Sequence, residues 1–127
     1  MAKRSMKGET KGLVLHNPAL ESKPRAFRAY YHVFISNAIA RNIEVTMTPN
    51  QIEKLASQPC YYCGLPPQPR KFGKHVLAVS GIDRRDSSKS YTPHNTVSAC
   101  KPCNRIKYVM TVDEFLKYAR RIVAKHP

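Results

Sequence analysis

Four cysteines lie in two short pairs, Cys60-Tyr-Tyr-Cys63 and Cys100-Lys-Pro-Cys103, and none is left over. The CxxC spacing lets one tight turn present two thiolates to two corners of a zinc tetrahedron. Together Cys60, Cys63, Cys100 and Cys103 form a full ligand set for a structural Zn²⁺. Two rival uses of paired cysteines fit less well. Disulfides need an oxidising compartment, and no apolar signal segment is read in the chain; a thioredoxin-like redox pair needs a βαβ setting that neither pair has. A four-thiolate zinc site is a cross-link, so catalysis is expected from other residues. Thirty-six residues separate the pairs, against roughly 15 to 20 in a simple zinc ribbon, so a structured insert is expected between them. That insert holds Gly81-Ile-Asp-Arg-Arg-Asp86, and the second pair runs directly into Asn104.

The elements that must position these residues can be read from pattern and capping. Residues 1–25 carry scattered Lys and Arg with Pro18 and Pro24 and no sustained period, which predicts a basic, partly disordered arm ahead of a folded domain over 26–127. Phe27, Tyr31, Phe34 and Ala38 recur at helical spacing and predict a helix over 27–41. Ile43 to Met47 alternates like a short strand, and Thr48-Pro-Asn-Gln51 then combines an N-cap, a first-turn proline and a capping-box Gln before a second helix that delivers Cys60. Gly64 to Lys71 reads as a proline-rich loop, Val76 to Ile82 as a strand, and Asn95 to Cys100 as the returning strand. A helix from Pro102 through Met110 follows, and Thr111-Val-Asp-Glu114 opens a last helix with Phe115, Ala119 and Ile122 on one face. The order implies an α+β fold.

Twenty-two Lys and Arg against eight Asp and Glu give a formal charge of +14 over 127 residues. Such an excess points to a polyanionic partner, nucleic acid ahead of membrane, gripped with strong salt dependence. No apolar run approaches the roughly 18 residues of a membrane span, so the chain is expected to be soluble and cytoplasmic. A core of modest size is expected to draw folding free energy from the zinc.

Taken in order, Cys60-Tyr-Tyr-Cys-Gly64, Gly81-Ile-Asp-Arg-Arg-Asp86, Tyr91-Thr-Pro-His-Asn95 and Cys100-Lys-Pro-Cys-Asn-Arg-Ile-Lys107, followed by Asp113-Glu-Phe115, the chain resembles an HNH endonuclease of the zinc-containing kind common in bacteriophages, over roughly residues 27–122. The resemblance implies a ββα-metal core with a structural zinc held by four cysteines and flanking helices, DNA as partner, and metal-dependent hydrolysis of phosphodiester bonds. Within it Asp83 and Asn104 match the ligands of a catalytic divalent ion, and two oxygen donors suit Mg²⁺ or Mn²⁺. Asn95 matches the central Asn that braces the loop.

One position departs from the family pattern: Arg84 stands where a His general base is usual, and a guanidinium cannot take that proton. Three accounts stand side by side. Arg84 clamps the phosphate and stabilises transition-state charge; or His94 or His75 supplies the base; or the domain is a non-catalytic zinc module that binds nucleic acid. Arg84, Arg85, Arg105 and Lys107 are the candidate phosphate contacts. Tyr61 and Tyr62 read as packing and knuckle support, with base stacking as the alternative. Strand-cutting mode is left open by the sequence, as is the choice between monomer, homodimer and larger assembly.

Overall fold

The computed structural model describes residues 18–127. The first 17 residues of the expected basic arm lie outside them. The rest of that stretch is folded: Pro18–Glu21 forms a short helix, α1, with Leu20 buried, and Lys23 bonds Glu53 at 2.6 Å. The arm expected through residue 25 is thus corrected at its end, because Leu20 has apolar surface to bury and Lys23 has a carboxylate to reach.

Helix α2, Arg25–Ala40, buries Phe27, Tyr30, Tyr31, Ile35 and Ala38 along one stripe, the period that periodicity predicts. It ends in a Schellman motif. Asn42 takes φ +58, its N–H bonds Ile39 O at 3.0 Å, and Ile43 N–H bonds Ala38 O at 2.8 Å. The strand expected at 43–47 is reduced to one parallel bridge, Val45 to Tyr91. The alternation is genuine, since Val45 and Met47 are buried between exposed Glu44 and Thr46. Its partner, however, runs from Tyr91 straight into a 3₁₀ turn at Pro93–Asn95, and a ladder cannot extend along it.

Helix α3, Pro49–Ala56, starts on the predicted capping box: Gln51 N–H bonds Thr48 Oγ1 at 3.2 Å and Thr48 N–H bonds Gln51 Oε1 at 2.9 Å. Strands β1 (Gln68–Phe72) and β2 (His75–Val79) then form an antiparallel hairpin that packs on α2, turning at Gly73 with φ +62. β1 lies where the sequence predicts a loop. Pro69 is tolerated there because a two-stranded sheet leaves an open edge that needs no donor, and Phe72 is anchored edge-on against Tyr30 at 5.3 Å.

The single strand expected over 76–82 is broken at Ser80. Its N–H bonds Ala56 O at 2.8 Å and its hydroxyl bonds Gln58 O at 2.5 Å, so α3 diverts the chain. Strand β3, Gly81–Arg84, pairs antiparallel with β4, Thr96–Ala99, in the register Gly81 to Ala99, Ile82 to Ser98, Asp83 to Val97 and Arg84 to Thr96. Helix α4, Lys101–Lys107, leaves β4 at once and packs back on β3. It is three residues shorter at its end than expected, stopping at Tyr108 with φ 50. Gly81 is set by its pairing with β4, since a Cβ there would meet the backbone oxygen of its partner Ala99 at 3.1 Å.

Helix α5, Val112–Lys125, begins on the predicted Thr111/Glu114 capping box and buries only Phe115. The main core runs from Leu20 through α2, α3 and the hairpin to Tyr91, and a smaller cluster gathers Cys60, Ala99 and Cys100 with Tyr62 and Cys103. No helix among the described residues is long and apolar enough to cross a membrane.

Candidate metal centre and phosphate-binding cleft

The two CxxC turns are brought together by backbone bonds between the first turn and β4. Tyr61 N–H bonds Ser98 O at 2.8 Å, and the Ser98 hydroxyl bonds Pro59 O at 2.6 Å. The sulfur atoms of Cys60, Cys63, Cys100 and Cys103 then all lie within 4.8 Å of one another, with Cys63 and Cys100 3.6 Å apart. Tetrahedral Zn–S bonds of about 2.3 Å require sulfurs roughly 3.8 Å apart, so the cluster fits zinc. Burial alone would raise Cys60, but backbone donors at Cys100, Cys63 and Tyr62 outweigh it and bring the thiol down to about 7. Burial and the neighbouring sulfurs push Cys103 far up, and burial raises Cys100. A set in which one thiolate opposes the next is relieved by a divalent cation, which deprotonates its ligands outright.

Asp83 sits on the face of β3 that meets α4 and is only 5% exposed. Tyr62 Oη donates to its Oδ2 at 2.5 Å. Lys107 Nζ donates to Oδ1 at 3.3 Å and lies 3.2 Å from Oδ2, and it also donates to Arg84 O at 2.9 Å. Burial first, then the Asp83 carboxylate, raise the Tyr62 phenol well above its ordinary value, so it stays protonated and acts as a donor. Its ring packs edge-on against Phe115 at 5.0 Å and Tyr61 at 5.3 Å. Neither partner of Asp83 was assigned to it from sequence. Lys107, expected at a phosphate, is corrected here: its side chain is fully buried, because a carboxylate and a carbonyl await it where the helix crosses β3.

Asn104 lies one turn before Lys107 on the same face of α4, near Gly81. Its half-buried side chain has no hydrogen-bond partner among the described residues and lines a cleft of about 720 Å³ between β1 and α4. Arg41, Arg70, Lys101 and Arg105 also line this cleft, and among the described residues no carboxylate does. Asp83 and Asn104 therefore share the β3–α4 interface, but Asp83 is already partly neutralised by an ammonium. Asp83 is not among the residues that line the cleft.

The remaining predicted residues build the loop after β3. Arg84 Nη1 donates to Ser87 O at 2.7 Å and Lys89 O at 2.9 Å, and its guanidinium lies over the Tyr91 ring. Arg85 lies over the Tyr61 ring at 5.2 Å, while its N–H bonds Asn95 O at 2.8 Å. Asn95 fastens the loop at three points. Its Oδ1 accepts from Asp86 N–H at 3.0 Å, and its Nδ2 donates to Asp86 O and Ser90 O at 3.0 and 2.9 Å. Asn95→Ala is expected to cost about 2 kcal/mol, from lost bonds and unsatisfied backbone groups. Denaturant unfolding of the variant checks this, and a change under about 0.5 kcal/mol, the range of ordinary surface substitutions, would contradict it. His94 is exposed on the 3₁₀ turn without a hydrogen bond or ion pair among the described residues. His75 lies beside the hairpin turn opposite Phe72, at the far end of β2 from Gly81.

No protein-family model matches the sequence. Over 86 residues, 68% of this chain, it is 34% identical to an uncharacterized protein, R423, of Acanthamoeba polyphaga mimivirus, and it spans 15% of that protein's length. Among solved structures, that of the rare-cutting HNH restriction endonuclease PacI superposes with a TM-score of 0.58 at 25% identity, covering 77% of this chain and 76% of that one. The chain is similar in fold to an HNH endonuclease. Beside that likeness stands the four-cysteine cluster, whose sulfurs are close enough together to hold the zinc that the CxxC spacing implies.

Proposed function

We propose that this chain is a metal-dependent, HNH-type DNA endonuclease that hydrolyses phosphodiester bonds, with β3, β4 and α4 as its ββα-metal centre. The observation that carries the reading is the likeness in fold to the HNH restriction endonuclease PacI over most of both chains. The succession of β3, β4 and α4, with Asp83 and Asn104 on the strand and helix faces that meet, supports it. Zinc held by the four cysteines fixes β4 and the start of α4 in place. Mg²⁺ or Mn²⁺ held by Asp83 and Asn104 would supply Lewis-acid stabilisation of charge on the scissile phosphate.

Each protein group has a distinct part in this scheme. Tyr62 and Lys107 orient the Asp83 carboxylate and offset its charge. Asn104 presents its amide to the cleft. Arg41, Arg70, Lys101 and Arg105 attract the DNA backbone, so affinity falls steeply with salt. Arg84, tied to the carbonyls of Ser87 and Lys89, shapes the loop that Asn95 closes; reaching a phosphate requires it to release those bonds.

A second reading, a zinc module that binds nucleic acid without cutting it, is favoured by one feature: both Asp83 and Arg84 are already satisfied within the protein. Supercoiled plasmid incubated at low salt with the zinc-loaded protein separates the two. Relaxation or linearisation that requires added Mg²⁺ or Mn²⁺ is the expected result. Tight binding that leaves the plasmid intact in every metal would select the non-catalytic module.

A further inference from the structure

Helix α4 ends in a turn, residues 107–110, closed by Met110 N–H on Lys107 O at 2.9 Å. Tyr108, its second residue, has φ 50 and ψ −113. These are the dihedrals of the first central position of a type II′ turn, where glycine fits without cost and a side chain does not. Two attachments hold the turn there: the buried Lys107 ammonium on Asp83 and Arg84 O, and the Ser87 hydroxyl on Val109 O at 3.3 Å. The strained residue is also 77% exposed. Its ring gives nothing to the core that would offset the strain, yet it lines the cationic cleft beside Asn104 and Arg105. Backbone strain that packing does not repay is the mark of a position kept for what its side chain contacts outside the fold.

The cleft of about 720 Å³ has Arg70 on its β1 side and Lys101 and Arg105 on its α4 side, and no carboxylate among its described lining residues, so it attracts the phosphates of a nucleic-acid strand. An exposed phenol on a basic surface offers a base a π-face with little regard for sequence. Resting on the reading of the chain as a DNA-binding protein, we propose that Tyr108 stacks on an unpaired base of DNA whose backbone lies along Arg41, Arg70, Lys101 and Arg105. The chain thereby prefers DNA with a bulged or unstacked nucleotide over a perfect duplex.

The test uses two duplexes that differ only in a single bulged 2-aminopurine, without Mg²⁺ or Mn²⁺, and the zinc-loaded full chain. Wild type is expected to bind the bulged duplex about tenfold more tightly than the perfect one, from stacking of one base, and to quench the 2-aminopurine fluorescence. Tyr108→Phe keeps both effects. Tyr108→Gly loses the preference and the quenching while its melting temperature rises by a few degrees, because glycine relieves the turn. Tyr108→Asn, which tolerates positive φ and lacks a ring, repeats the binding loss as an independent variant. Undiminished quenching and preference in Tyr108→Gly and Tyr108→Asn would overturn the stacking role while leaving DNA binding intact. A wild type that binds neither duplex at low salt would overturn it together with the nuclease reading.

Discussion

Removing zinc from this protein at neutral pH is expected to abolish cooperative folding of the half that carries the candidate site. The smaller cluster consists of Cys60, Ala99 and Cys100 with Tyr62 and Cys103 against them, and it contains little apolar surface besides the metal ligands. Through that cluster α3, β4 and α4 are joined, so loss of the metal frees the returning strand and the helix bearing Asn104 and Lys107. Structural zinc sites in small peptides contribute about 10–16 kcal/mol of apparent binding free energy, comparable with the whole stability of an ordinary domain, about 5–15 kcal/mol. Thermal melts by circular dichroism, before and after a chelator whose zinc uptake is measured, are expected to differ by tens of degrees. Cys60→Ser and Cys100→Ser, at buried sulfurs, are expected to be more damaging than Cys63→Ser at the exposed one. Unchanged melting after full zinc removal would contradict the account.

The second large effect concerns Lys107. Lys107→Met leaves the Asp83 carboxylate at 5% exposure with Tyr62 as its remaining side-chain partner, and breaking a buried pair by removing one charge costs about 3–5 kcal/mol. Asp83→Asn leaves the opposite residue, a buried ammonium on a carbonyl. Combining the two removes both charges and is expected to recover much of the loss, since a buried pair replaced by neutral groups is often near neutral in stability. Denaturant unfolding of the single and double variants measures this coupling. Single variants within about 0.5 kcal/mol of wild type, as at ordinary surface sites, would show that the pair does not hold the interface. The same pairing makes Asp83→Ala an ambiguous probe of catalysis, because lost activity can follow from a displaced α4.

What was legible in the sequence was local or carried by a short motif. The two capping boxes, at Thr48 and Thr111, satisfy donors within three residues and depend on nothing distant. Each CxxC pair is equally local, while the fold is what brings the four sulfurs within 4.8 Å of one another. The strand β1 was hidden because Pro66, Pro67 and Pro69 mark a loop unless the strand is an edge, and edge position is a property of the whole sheet. Lys107 was misplaced for a related reason. A lysine on a helix reads as solvent-facing, and its burial depends on a carboxylate 24 residues earlier that only the β3–α4 packing brings near. Tyr62 reads from the sequence as packing and knuckle support, and its ring does pack against Phe115 and Tyr61; its bond to Asp83, 21 residues away, is not legible there.

The most direct test of the nuclease assignment is the plasmid-nicking rate of Asn104→Ala against wild type in Mn²⁺ and in Mg²⁺, with melting temperature measured on the same samples. The Asn104 side chain has no hydrogen-bond partner among the described residues, so its loss is expected to leave stability nearly unchanged. Removing a group that acts on the scissile phosphate is expected to slow nicking by about 100-fold or more. That loss at unaltered melting temperature and DNA affinity is the predicted result. Nicking at the wild-type rate by a folded Asn104→Ala protein would contradict the placement of the catalytic centre at the junction of β3 and α4.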